Sequence, residues 1–179
     1  MIKDWVVAGD KNSATILRYF NPVGAHSSGL IGENPKGTPN NLMPYIADVA
    51  IGKRSHISIF GDNYETRDGT GERDYIHVVD LAKAHVAAMS KLAEGESEIF
   101  NIGTGSGTTV LELIEEFRLA CGRELDFKFT ERRKGDLAVA VACVAKAAEG
   151  IDWVASLSIG EMCRDTWRWR LDNPNGYSE

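Results

Sequence analysis

The sequence predicts an α/β fold, on three observations. Runs rich in β-branched and aromatic residues recur at 14–20, 57–60, 75–78, 99–102 and 126–129. Stretches with apolar residues at helical spacing lie between them, at 41–51 and 81–92. Two further helices, at 110–121 and from 158 through 169, are announced by capping boxes, Thr109 with Glu112 and Ser158 with Glu161. Strands alternating with helices along one chain are the α/β pattern. At 179 residues, 43% hydrophobic and 26% charged, the composition is that of a soluble globular chain of about one domain's length.

In order along the chain, residues 1–8 read as a helix with Met1, Ile2, Trp5 and Ala8 on one face and Gly9 as its stop. Thr15, Ile16, Tyr19 and Phe20 make 14–20 a strand, which Pro22 ends while disfavouring helical backbone at Asn21. From 21 to 40 the chain carries four glycines and three prolines and no periodicity, a loop long enough to be either functional or disordered. A helix over 41–51 follows, capped by Asn40 or Asn41, tolerant of Pro44 in its first turn, and stopped by Gly52. Its predicted buried stripe is Leu42, Ile46 and Val49. After the 57–60 strand, 62–74 reads as a polar loop.

The segment 75–78 is extended, and Asp80 has the chemistry of an N-cap for a helix over 81–92. That helix buries Leu81, His85, Ala88, Met89 and Leu92, with His85 as a satisfied core histidine. The strand at 99–102 opens onto Gly103-Thr104-Gly105-Ser106-Gly107. This turn invites a nucleotide-loop reading, but neither Gly-x-Gly-x-x-Gly nor Gly-Lys-Ser/Thr is present. A tight turn followed by the Thr109 cap, closed by Gly122, accounts for every residue. The 126–129 strand leads to Arg132 and Arg133, and 138–148 reads as a strand followed by a short helix. The last helix ends before Pro174.

A net charge of −6 gives no global attraction for nucleic acid or anionic membrane, so any phosphate site must be a local basic cluster. Three cysteines without metal-like spacing suggest reduced thiols and a cytoplasmic setting. The four histidines show no metal-ligand spacing, and no apolar run is long enough to span a bilayer. Arg132-Arg133-Lys134 is either a solvated basic turn or a phosphate cluster. Asn21, Asn40 and Asn41 suit either turn and cap chemistry or sugar hydroxyls and phosphate oxygens. Arg73 sits just before a rigid element, where its guanidinium can be aimed.

Longer blocks give these residues company. Arg73-Asp74-Tyr75-Ile76-His77-Val78, followed by Asp80-Leu81-Ala82, resembles the signature of extended short-chain dehydrogenase/reductases. With Leu17-Arg18-Tyr19-Phe20-Asn21-Pro22-Val23-Gly24-Ala25-His26, Asn40-Asn41-Leu42-Met43-Pro44-Tyr45 and Arg132-Arg133-Lys134-Gly135-Asp136, the chain is similar to the C-terminal half of the UDP-glucose 4-epimerases of that family. The resemblance implies that 14–21 and 99–103 are the last two strands of a Rossmann sheet. Residues 1–24 and 74–105 would then be a remnant of the NAD-binding domain, and 25–73 and 106–179 a small mixed α/β domain for the nucleotide sugar. It further implies Arg73 and Arg133 on the diphosphate of a UDP-sugar and Asn21 facing the sugar. Asn40, Asn41 and Leu42 would line the diphosphate, with Phe60 beside the uridine. Tyr75 and Asp136 join the substrate residues, and Tyr19 and Phe20 lie against the nicotinamide of NAD. Ala140 stands where family members carry a tyrosine, cysteine or other residue beside the sugar ring, and its small side chain leaves room for a 2-acetamido group.

The family reaction is an NAD-dependent isomerisation of UDP-galactose and UDP-glucose, in galactose metabolism. It needs a Tyr-x-x-x-Lys pair and a Gly-x-x-Gly-x-x-Gly loop, and neither occurs in this sequence. NAD is therefore expected in the complete family enzyme and not on this chain alone, for which no catalytic residue is nominated. The expected partners are a UDP-sugar and either a second copy or a full-length epimerase, with no nucleic acid and no membrane. Two other readings stay open: a non-catalytic module that binds UDP-sugars or pairs with an epimerase, and a fragment of a sister nucleotide-sugar dehydratase.

Overall fold

Short strands need partners for their backbone groups, and here they find them in small, mostly parallel groups. The computed structural model describes residues 1–9, 11–37 and 39–177. Its elements are α1 (Ile2–Val7), β1 (Ala14–Tyr19), β2 (Asn21–Val23), α2 (Leu42–Ala50), β3 (Ile57–Phe60), β4 (Glu72–Arg73), β5 (Tyr75–His77) and α3 (Val78–Ser90). There follow β6 (Ser97–Ile102), β7 (Thr108–Thr109), α4 (Val110–Cys121), β8 (Phe127–Thr130), β9 (Val139–Ala140), α5 (Ala145–Ile151) and α6 (Ile159–Asp172).

β1 and β6 run parallel, from Ala14 opposite Ser97 to Tyr19 opposite Ile102. Past Phe20 the chain changes partner: β2 pairs with β5, Asn21 opposite Tyr75 and Val23 opposite His77. Pro22 thus does not end the extended chain as predicted. The neighbouring Asn21 N–H donates to Asp74 O at 2.9 Å, and a residue before proline favours extended backbone. β3 pairs in parallel with β8, and β4 lies between antiparallel β7 and parallel β9. The predicted polar loop at 62–74 therefore ends in a strand. Its two residues are too few to show a period.

Two apolar clusters hold these groups together. One gathers Met43 and Ile46 of α2, Ile57 and Ile59 of β3, Leu113 and Phe117 of α4, and Met162 and Trp167 of α6. The other joins Ala84 and Ala88 of α3 to Phe100 and Ile102 of β6 and to Ala147 and Ile151 of α5. α2 meets β3, α4 and α6 together, so its buried face is wider than the predicted stripe. Met43, Ala47 and Ala50 are buried with Ile46, while Leu42 and Val49 are only half-buried. Both capping boxes form as the sequence predicts, and Gly122 closes α4 in the left-handed conformation, φ 65°.

Two helices differ from expectation. In α1 only Val6 is buried, and the predicted face of Met1, Ile2, Trp5 and Ala8 lies open. α3 begins at Val78 because His77, not Asp80, caps it: His77 Nδ1 accepts from Val79 N at 3.0 Å. The ring proton then lies on Nε2, which donates to Asp165 Oδ2 at 3.2 Å. The buried residues of α3 are Asp80, Ala84 and Ala88; of the predicted face only Ala88 is buried, and Met89 and Leu92 are exposed. His85 is half-buried and satisfied, Nδ1 to Leu81 O at 2.8 Å and Nε2 to Tyr19 Oη at 3.2 Å.

The α4 cap doubles as an ionic tie. Arg67 binds both Glu112 carboxylate oxygens and reaches Glu72 at 2.9 Å. Arg67 holds the Glu112 carboxyl down at about 2, against its ordinary 4.5. A depressed folded-state value means that the tie stabilises above the ordinary value and is lost as pH falls from about 4.5 towards 2. Both side chains are more than a third exposed, so screening limits the effect to about 1 kcal/mol or less. Thermal melts from pH 6 to pH 2 are expected to show a shallower acid loss in Glu112→Gln than in the unmodified chain; equal slopes would remove the assignment.

Candidate functional site

The change of partner at Phe20 sets the site. It lays Asn21 beside Tyr75 and Arg73, while Asp74, between those two, points away and is fully buried. Facing them, the turn into α2 brings Asn40, Asn41 and Leu42, and β3 contributes Ser58, Ile59 and Phe60. Arg133 and Asp136, on the connection from β8 to β9, complete a cleft of ≈570 Å³. Every residue nominated from sequence as substrate-binding lines this cleft except Ala140, and Phe20 lines it as well. Ala140 lies outside the lining, half-buried in β9 opposite Arg73. Tyr19 also lies outside it, half-exposed and bonded to His85.

The electrostatics of the cleft are cationic and anchored. Arg73 is held by its own surroundings: Nη1 donates to Glu72 O at 2.8 Å and Leu137 O at 2.9 Å, and Nη2 stands 3.8 Å from Asp136. Arg133 lies over the Phe60 ring, 3.8 Å from its centroid, a cation–π seat, and among the described residues its guanidinium has no hydrogen-bond partner. The basic turn is thus split in role. Arg132 stacks on Tyr64 at 4.0 Å and donates to Asn63 Oδ1 at 2.6 Å. Asn41 occupies the N-cap of α2, but its side chain does not cap; it donates to Glu33 Oε1 at 3.2 Å. The first-turn amides of α2 therefore lie at the cleft without a side-chain acceptor from Asn41, the arrangement that favours anions. Burial pushes the Tyr75 phenol up to about 12, so at neutral pH it is a neutral hydrogen-bonding group and not a base.

The glycine-rich turn at 103–107 does hold an anion, but it is the chain's own. Asp74 Oδ1 accepts from Thr104 N at 2.8 Å and Thr104 Oγ1 at 2.7 Å. Asp74 Oδ2 accepts from Gly105 N at 2.9 Å and Ala142 N at 3.2 Å. A Cβ at Gly103 would stand 2.5 Å from that carboxylate, so only glycine lets the backbone close around it. Filled in this way, the turn does not fit a dinucleotide phosphate.

Sequence reasoning missed Tyr45 and Tyr64, which also line the cleft. Tyr45 closes the Asn40–Asn41–Leu42 block already singled out; Tyr64 sat in a stretch read only as polar loop. No group of side chains suited to a metal ion stands among the described residues, and no helix among them is long and apolar enough to cross a membrane.

A profile of the NAD dependent epimerase/dehydratase family matches residues 1–103, more than half of the chain, and the chain belongs to that family. It is 50% identical over 178 residues to the UDP-glucose 4-epimerase of Homo sapiens, covering 99% of this chain and 51% of the relative. It is 53% identical over 180 residues to that of Yersinia pestis, covering 100% of this chain and 53% of the relative. Among solved structures, the UDP-glucose 4-epimerase of Bifidobacterium longum, in complex with NAD+ and UDP, superposes with a TM-score of 0.94 at 46% identity. The match covers 98% of this chain and 52% of that one. The fold is accordingly the mixed α/β Rossmann type of the extended short-chain dehydrogenase/reductases. The chain spans about half the length of the curated relatives it matches.

Proposed function

We propose that this chain is the UDP-sugar-binding half of an NAD-dependent UDP-glucose 4-epimerase, and that by itself it binds the nucleotide sugar without turning it over. The observation that carries the proposal is the convergence of Asn21, Asn40, Asn41, Leu42, Phe60, Arg73, Tyr75, Arg133 and Asp136 on one cleft. Arg73 and Arg133 suit the two phosphates, because guanidinium meets phosphate oxygens through paired, charge-assisted bonds. The N-terminus of α2 adds a partial positive charge on the same ligand. Asn21 both donates and accepts, as sugar hydroxyls require, and Phe60 offers an apolar face to the uracil. Hydride transfer is NAD chemistry, and the chain is read as holding the substrate rather than as carrying that step. The division into a cofactor-side part, 1–24 with 74–105, and a sugar-side part, 25–73 with 106–179, belongs to the same proposal.

The relatives at 50% identity favour an epimerase over a sister dehydratase as the parent. The pairing reading has its own support. Among the described residues β1 pairs with β6 alone, and Trp5 and Ile2 of α1 are exposed beside it. An open strand edge next to apolar side chains is a natural seat for another chain.

Arg133→Ala is expected to weaken UDP binding by about 1.5–3 kcal/mol, the worth of a hydrogen bond to a charged group. That corresponds to roughly 10- to 150-fold in Kd. Titration calorimetry with UDP measures it, and an unchanged affinity would take Arg133 out of the site.

A further inference from the structure

We propose that Asp74 is a positioning residue for the ligand cleft, acting through Arg73, and that the glycine-rich turn exists to receive it. The inference rests on the reading that the cleft takes a nucleoside-diphosphate sugar. Asp74 is wholly buried and touches none of the cleft volume, yet it is the node at which the cleft walls meet. Its neighbours in sequence, Arg73 and Tyr75, both line the cleft, and its carbonyl accepts from Asn21 N at 2.9 Å. Its N–H donates to Ala140 O at 3.0 Å, while its carboxylate takes Ala142 N at 3.2 Å. The segment at 140–142 is thereby pinned from both sides of one residue. The same strand-borne connection holds the Arg73 guanidinium, through Leu137 O and Asp136.

The chain of contacts therefore runs from the turn to the carboxylate, to the 136–142 segment, and to the cation that faces the ligand. An arginine bound this way is pre-organised, so less freedom is lost when an anion arrives. Three donors from Thr104 and Gly105 supply what a buried carboxylate needs. An asparagine at 74 would present an amide N–H to the donors on one side and leave them unpaired. Gly103 has no room for any side chain, since its Cβ would also stand 2.7 Å from Ala142 Cβ.

The test uses the 179-residue chain and four variants: Asp74→Asn, Thr104→Val, Arg73→Ala and the double variant Asp74→Asn with Arg73→Ala. Two readouts are taken, UDP affinity by calorimetry and the Nε–H signal of Arg73 by NMR, which needs no ligand. Asp74→Asn is expected to weaken UDP binding about tenfold or more and to broaden or shift the Arg73 signal. Thr104→Val, which removes one of the four donors and keeps the charge, is expected to do the same to a smaller degree; it carries the test if Asp74→Asn does not fold. In an Arg73→Ala background, Asp74→Asn is expected to cost little further affinity. A purely structural role would lower the melting temperature while leaving affinity and the Arg73 signal unchanged, and that result overturns the proposal. Equal affinity losses with and without Arg73 overturn it as well. Should the unmodified chain show no UDP binding, the functional reading fails. The positioning of Arg73 is then judged on its NMR signal, and an unchanged signal in Asp74→Asn or Thr104→Val refutes it.

Discussion

Purified chain incubated with NAD and UDP-galactose is expected to form no UDP-glucose. Epimerisation at the sugar C4 needs a hydride acceptor held against the ring and a base for the hydroxyl proton. On the function proposed here, this chain supplies neither. Burial pushes the Tyr75 phenol up to about 12, away from the neutral range that suits a general base. Tyr19 is bonded to His85, and the turn at 103–107 is filled by Asp74. Loss of one catalytic group can leave residual activity, but a missing carrier site leaves the hydride nowhere to go. Enzymes accelerate their reactions by at least about 10⁶-fold, and all of that is expected to be lost. A coupled assay for UDP-glucose measures it, and turnover near that of a complete epimerase would defeat the reading. Sedimentation of the chain mixed with a full-length epimerase separates the pairing alternative: if the two do not co-sediment, the open edge of β1 is not a docking surface for one.

What could be read from the sequence was what short-range contacts encode. The capping boxes of α4 and α6 each lie within four residues, and both form as read. β4 and β9 have two residues each and exist because Glu72 pairs with both Thr109 and Val139, far away in the chain; no local pattern announces them. The start of α3 escapes a sequence reading for a related reason. Histidine is not among the usual capping residues, while aspartate is, so Asp80 drew the assignment. The cleft residues were legible only as blocks resembling a family, since asparagines and arginines in loops carry no periodicity. Tyr64 fell outside those blocks and was missed. The glycine-rich turn shows the limit most directly: its sequence tells that an anion could sit there, and only the fold reveals that the anion is Asp74.

Asp80→Ala is expected to destabilise the chain by about 1–3 kcal/mol, the cost of leaving buried donors without their acceptor. Asp80 is 1% exposed, and its carboxylate crosses from α3 to the segment before α6. There it accepts from Ser156 N at 2.7 Å, Leu157 N at 2.8 Å and Ser156 Oγ at 3.1 Å, with Lys83 Nζ at 3.3 Å. Truncation would leave those donors without their acceptor and free the entry of α6, whose buried face supplies Met162, Cys163 and Trp167 to the main core. A loss of this size is a large part of the 5–15 kcal/mol typical of a folded domain. Burial pushes the Asp80 carboxyl up, but the bonds from Leu157, Ser156 and Lys83 outweigh it and hold the group below the ordinary range. Its contribution is therefore present above the ordinary carboxylate value and lost as pH falls through the lowered one. Urea unfolding at neutral pH measures the effect as a fall in midpoint at constant slope. Lys83→Ala provides the contrast: Lys83 is 58% exposed, so its pair with Asp80 is expected to be worth no more than about 1 kcal/mol. If Asp80→Ala costs no more than Lys83→Ala, the carboxylate is not what ties α3 to α6.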